Sequence, residues 1–211
     1  MLNEPHAIRR FSWPVTLLWL SAVLIALGSY RFLIADIALV MPAMLHHALD
    51  RPMLLYLHIG LAPIALALLP MQFSKRLRRR HLALHRWLGR LYAAVIFLSG
   101  LGAIGLAMTT DQGAVAGLGL GALALAWLGT TGLAVWYAIQ RQIAQHRAWM
   151  IRSAALTLAA VTLRLYLPIG LLTVGFEASY PLICWLCWVP NALVAEWLLR
   201  RAGKAATGQP A

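Results

Sequence analysis

HRAWMIRSAALTLAAVTLRLYLP, residues 146–168, decides the fold. It opens with a basic, aromatic turn (His146, Arg147, Trp149, Arg152) and continues as an apolar run long enough to cross a bilayer. Arg164 sits well inside that run. At ~100° per residue, His146, Ser153, Thr157 and Arg164 share one narrow helix face, and at ~1.5 Å rise the stripe is ~27 Å long. A charge at such depth is expensive and rarely faces lipid.

The rest of the chain reads the same way. Of 211 residues 62% are hydrophobic and only 11% charged, against roughly 25% charged in a soluble domain. The fold class is all-α: a single polytopic bundle of six transmembrane helices. A polar head, 1–12, precedes a membrane domain, 13–201, and a tail, 202–211, reads as disordered. The spans are expected at 13–34, 53–73, from His85 or Leu88 to Met108, at 114–139, from Met150 to Val174, and at 180–199. The first is too long for a signal-peptide core and has no small-residue cleavage site after it, so it reads as retained. Pro63 and Pro70 are expected to bend the second. Gly113, Gly117 and Gly121, spaced four apart, are expected to let the fourth approach a neighbour closely. Residues 140–149 read as a polar connection.

An even number of spans puts both termini on one side. All of the 18 Lys and Arg except Arg31, Arg51 and Arg164 fall on that side or at its edge. The positive-inside bias makes it the cytoplasm. The run KRLRRR (Lys75–Arg80) is therefore topogenic charge near anionic lipid headgroups rather than a nucleic-acid surface. The bilayer is the expected partner, and self-association is left open.

Four groups of residues carry chemistry. His85 and His146 each start a span, in HRWLGRLY and HRAWMIRS, a weak internal repeat. Interfacial anchoring by Trp and His-Arg pairs is the plain reading. The sharper one is a b-type haem held between the two imidazoles, with Arg86 and Arg147 toward its propionates. His58, nearer the outer side, could serve a second haem with a loop histidine. Met41, Met44, His46 and His47 in MPAMLHHALD (41–50) loosely resemble soft-metal ligands, although an ordinary docked loop has the same composition. Arg164 is expected to meet Asn191, an anionic ligand or a water-filled cavity. Arg152 and Glu196 match in depth and are expected to pair. Cys184 and Cys187, the two cysteines, form no disulfide framework and read as small buried hydrophobes more than as a redox pair. There is no nucleophile-base-acid triad, phosphate loop or zinc motif, and the few carboxylates argue against hydrolysis; whether the chain is an enzyme stays open.

HRWLGRLY, HRAWMIRSAALTLAAVTLRLYLP and WLCWVPNALVAEWLLR together resemble a bacterial family, the predicted membrane proteins grouped as domain of unknown function 2306 (DUF2306), over roughly residues 55–200. The resemblance implies a multi-spanning inner-membrane protein and supplies no catalytic residues. Transmembrane electron transfer by haem is the sharpest function these residues support. The alternatives are transport of a small anion by Arg164 and a non-catalytic assembly or sensory subunit.

Overall fold

A computed structural model describes residues 13–207. Six helices in it are long and apolar enough to cross a membrane: Val15–Ile34, Pro52–Phe73, Leu82–Met108, Gly113–Ile139, Ile143–Thr173 and Phe176–Lys204. Helix is what an apolar chain must form in lipid, where each unsatisfied backbone group costs several kcal/mol and no water is present to help. Large apolar side chains such as Leu24, Leu118, Leu125 and Leu172 remain on the outside, as expected of a surface that meets acyl chains. The core is built from small and polar residues together with a few large ones, among them Leu66, Leu69, Tyr92 and Ile96.

The second and third spans form the most intimate pair, and the fourth packs against both the third and the fifth. The first span leans on the second, and the sixth closes the bundle against the fourth and fifth. Gly102 lets the second and third spans cross closely: a β-carbon there would sit 2.9 Å from the Leu54 carbonyl oxygen. Of the glycines spaced four apart, Gly117 and Gly121 do lie against Ala107, but Gly113 faces open space. Gly113 instead starts the fourth helix at φ +85°, a conformation that penalises any side chain.

The helix bounds depart from the sequence reading in several places. The third helix begins at Leu82, so His85 is already inside it. The fifth begins at Ile143, which shortens the polar connection to 140–142 and makes His146 helical. The last helix continues to Thr207, into the stretch read as a tail, while 1–12 and 208–211 lie outside the described residues.

The largest departure is in the organising stretch. The fifth span is two helices, Ile143–Thr157 and Ala159–Thr173, joined at Leu158. The Val161 amide donates to the Leu158 carbonyl at 2.9 Å, three residues back rather than four, which tightens the turn. The Ala155 carbonyl is taken by the side-chain amide of Asn191, at 3.3 Å. Asn191 also donates to Thr162 Oγ1 at 2.9 Å and to the Cys187 carbonyl at 3.2 Å. The sixth span is interrupted as well, between Leu186 and Val189. One asparagine thus ties together two interrupted helices at the points where their regular bonding lapses.

Candidate functional site

Between the third, fourth and fifth spans lies a buried chain of hydroxyls. Tyr92 Oη is 2.9 Å from Ser153 Oγ and 2.8 Å from Thr157 Oγ1. Thr131 Oγ1 is 2.7 Å from Ser153 Oγ, and the Trp127 indole donates to Thr157 Oγ1 at 2.8 Å. Thr157 in turn donates to the Ser153 carbonyl at 2.9 Å. All five side chains are buried. One proton order satisfies every member, running from Thr131 through Ser153 and Tyr92 to Thr157 and the carbonyl. A buried network with nothing left over rigidifies rather than reacts. The middle of the predicted stripe, Ser153 and Thr157, is therefore a clamp.

This clamp fixes the two histidine segments. Tyr92 and Ser153 each stand seven residues after a histidine, His85 and His146. The third and fifth helices both run away from the basic end, so they are parallel. Seven residues make nearly two turns, so each histidine lies ~10.5 Å below its clamp residue on almost the same face. The two histidines accordingly stand at one level along the bundle. The two helices are not close neighbours; the fourth packs against each of them, and Tyr92 reaches across the gap.

The nitrogens of the two rings differ in their state. His146 Nδ1 lies 2.8 Å from the Ala134 carbonyl, which can only accept, so Nδ1 carries the proton and Nε2 keeps its lone pair. His85 Nδ1 is buried without a partner. Gln72, at the basic end of the second span, is also nearby: its Oε1 would lie 3.3 Å from a β-carbon on Gly89, one turn above His85. The Gln72 side-chain nitrogen is likewise buried and unpartnered. Arg86 and Arg147 are exposed beside the histidines.

His58 has the same tautomer as His146. Its Nδ1 meets the Ser99 carbonyl at 3.1 Å and the Ser99 hydroxyl at 3.0 Å. Its electrostatic neighbour is Arg164, while the loop histidines keep different company. His46 pairs with Asp111 at 3.1 Å, and its ring centroid is 3.8 Å from that of His47. His47 is buried with Nδ1 unpartnered, and burial holds its pKa below the usual value. Among the described residues no group of three or more His, Cys, Asp or Glu is disposed to hold a metal ion.

Arg164 does not meet Asn191, whose donors are committed to the helix interruptions. Past the turn at Leu158 it donates instead to Ser29 Oγ of the first span, at 2.7 Å, and to the Ala160 carbonyl, at 3.0 Å. Arg152 donates to Glu196 at 2.5 and 3.0 Å and lies over the Trp149 ring, 4.5 Å from its centroid. Cys184 and Cys187 are free, fully buried thiols. An apolar cavity of about 230 Å³ lies between the third and fourth spans, lined by Ile96, Phe97, Leu128 and Gly132 among others. Its one hydroxyl, Thr131, is engaged with Ser153. The sequence reading missed Tyr92, Ser99, Ser29 and Gln72; for Tyr92 alone a signal was available, since it follows His85 by the seven residues that separate Ser153 from His146.

Neither a curated protein nor a solved structure matches the chain. The family described as predicted membrane protein, DUF2306, matches residues 55–199, a stretch that includes both His-Arg segments, the hydroxyl clamp, Arg164 and the Arg152–Glu196 pair. The chain belongs to the DUF2306 family of membrane proteins.

Proposed function

We propose that this protein is a redox carrier of a bacterial inner membrane, with its basic end in the cytoplasm and a b-type haem held between His85 and His146. One observation carries the reading: two parallel helices, clamped in register through Tyr92 and Ser153, each carry a histidine seven residues below the clamp, at one level. Axial ligation uses one ring nitrogen and is steadied when the other donates to a carbonyl. His146 already has that arrangement through Ala134. Arg86 and Arg147 supply positive charge for propionates at the headgroup level, where anionic groups are best tolerated. The bound haem would supply one-electron transfer. The chain itself would fix the ligand rings, exclude water by its hydroxyl clamp, and set the local charge.

The test is a visible spectrum of the protein purified from haem-replete cells. A sharp α band on reduction, lost in both His85→Ala and His146→Ala, supports the reading. A colourless wild-type protein overturns it.

A further inference from the structure

We propose that Arg164 is the centre of a second site, in the half of the membrane away from the basic end, which binds an oxyanion: a phosphate or a carboxylate. This stands apart from the histidine pair and does not need a haem.

Arg164 is nine residues from Thr173, where its helix ends, so it lies ~14 Å inside that end at ~1.5 Å per residue. A guanidinium has five N–H donors and no acceptor. Two bonds are made, to Ser29 Oγ and to the Ala160 carbonyl. Both acceptors are neutral, so they aim the group without cancelling its charge. The ion pairs among the described residues are His46–Asp111, Arg51–Asp50 and Arg152–Glu196. Asp36 caps a short helix by accepting from Ala38, and Glu177 is exposed in the first turn of the sixth span. Among the described residues no carboxylate is left for Arg164.

The surroundings increase the deficit. Arg31 stands two residues beyond Ser29, which Arg164 bonds, and His58 lies on the second span, against which the first packs. His58 is held through Nδ1 on Ser99, leaving Nε2 as a further polar edge. A charge this deep, with no counter-charge among the described residues and with donors to spare, calls for an anion. Arg is only partly covered here, so the planar fork can be reached. Its geometry suits two oxygens of one carboxylate or phosphate. A lipid phosphate and a soluble anion share that chemistry.

The experiment follows thermal unfolding of the full-length, delipidated protein in a non-ionic detergent. Three probes are titrated separately: sodium phosphate, sodium acetate, and phosphatidylglycerol in mixed micelles. A saturable rise in melting temperature with phosphate or acetate, against a sodium chloride control, assigns a soluble anion. A rise with phosphatidylglycerol alone assigns a lipid headgroup. In either case Arg164→Gln should abolish the response, while Glu177→Gln should leave it intact. If Arg164→Gln does not fold, Arg164→Lys provides the comparison, with binding expected to be at least tenfold weaker because a point charge cannot replace the fork. No response to any probe in the wild-type protein overturns the proposal. So does an unchanged response in Arg164→Gln, or, where that variant fails to fold, in Arg164→Lys.

Discussion

The Tyr92 hydroxyl lies 2.8 Å from that of Thr157, the last residue before the fifth helix is interrupted. The tyrosine thus holds the interrupted helix at its weakest point and, through Ser153, one turn lower as well. Tyr92→Phe should destabilise the protein by about 1–2 kcal/mol, because interhelical side-chain bonds in membranes measure about 0.6 and at most about 1.7 each. Thermal unfolding in detergent measures this. Adding Ser153→Ala should cost less than the sum of the single changes, since both act on one network. Strict additivity would show that the hydroxyls act separately.

Two glycine substitutions should separate close approach from mere spacing. Gly102→Ala places a methyl 2.9 Å from the Leu54 carbonyl oxygen, a backbone atom that cannot rotate away. It should destabilise by about 1–3 kcal/mol, as overpacking does. Gly121→Ala meets only the Ala107 β-carbon, at 3.6 Å, an ordinary contact, and should change stability by less than about 0.5 kcal/mol. Equal effects in denaturant titrations of the two variants would contradict the crossing described for Gly102.

The Arg152–Glu196 pair should contribute little despite its good geometry. The side chains are 25% and 38% exposed, and pairs of that kind are worth roughly 0.2–1 kcal/mol. Glu196→Gln should therefore shift the melting temperature only slightly, and by less still in 1 M salt. Arg152→Ala should do more, because it also removes the guanidinium from the Trp149 ring.

Acid should loosen the loop that carries His47. This residue lies outside the spans, is buried, and has its pKa lowered below 6.5, first by burial and then by the charge of His46. The opened loop therefore takes up a proton more readily than the folded one. The stability His47 gives is fully present above about pH 6.5 and is lost as the pH falls through its lower, folded value. Protection factors for hydrogen exchange in residues 37–50, corrected for the intrinsic pH dependence of exchange, should fall between pH 7 and pH 5. In His47→Gln that dependence should flatten; an equally steep profile would place the titration elsewhere.

The orientation rests on charge asymmetry and has a direct check. Reporter fusions after residues 80 and 144 should read as cytoplasmic, and fusions near residues 45, 112 and 178 as periplasmic. Inversion at any two sites would overturn the assignment.

Much of this architecture is legible in the sequence because membrane depth is a one-dimensional quantity. Run lengths place the six spans, and depth alone matches Arg152 to Glu196, whose side chains meet. What depth does not give is direction around the helix axis once a helix is interrupted. Arg164 and Asn191 look like partners by depth, yet the lapse at Leu158 leaves Arg164 bonded to the first span and Asn191 bonded to the freed Ala155 carbonyl. Backbone carbonyls are also invisible in a string of letters. The seats of His58 and His146 on Ser99 and Ala134 could not have been named from residue types. Gly113 shows a third limit, since spacing suggests a packing role and only the backbone angle reveals a helix start.

The register clamp also bears on which lengths of the chain can change. Inserting one residue between His85 and Tyr92, or between His146 and Ser153, would turn that histidine by ~100° and shift it by ~1.5 Å relative to its counterpart. The same insertion in the links at 74–81 or 140–142 would leave the seven-residue distances untouched. Relatives that keep the histidine pair should therefore vary in length in the links and be invariant in length from each histidine to its clamp residue. A deletion scan across 82–92 should show intolerance beginning at His85.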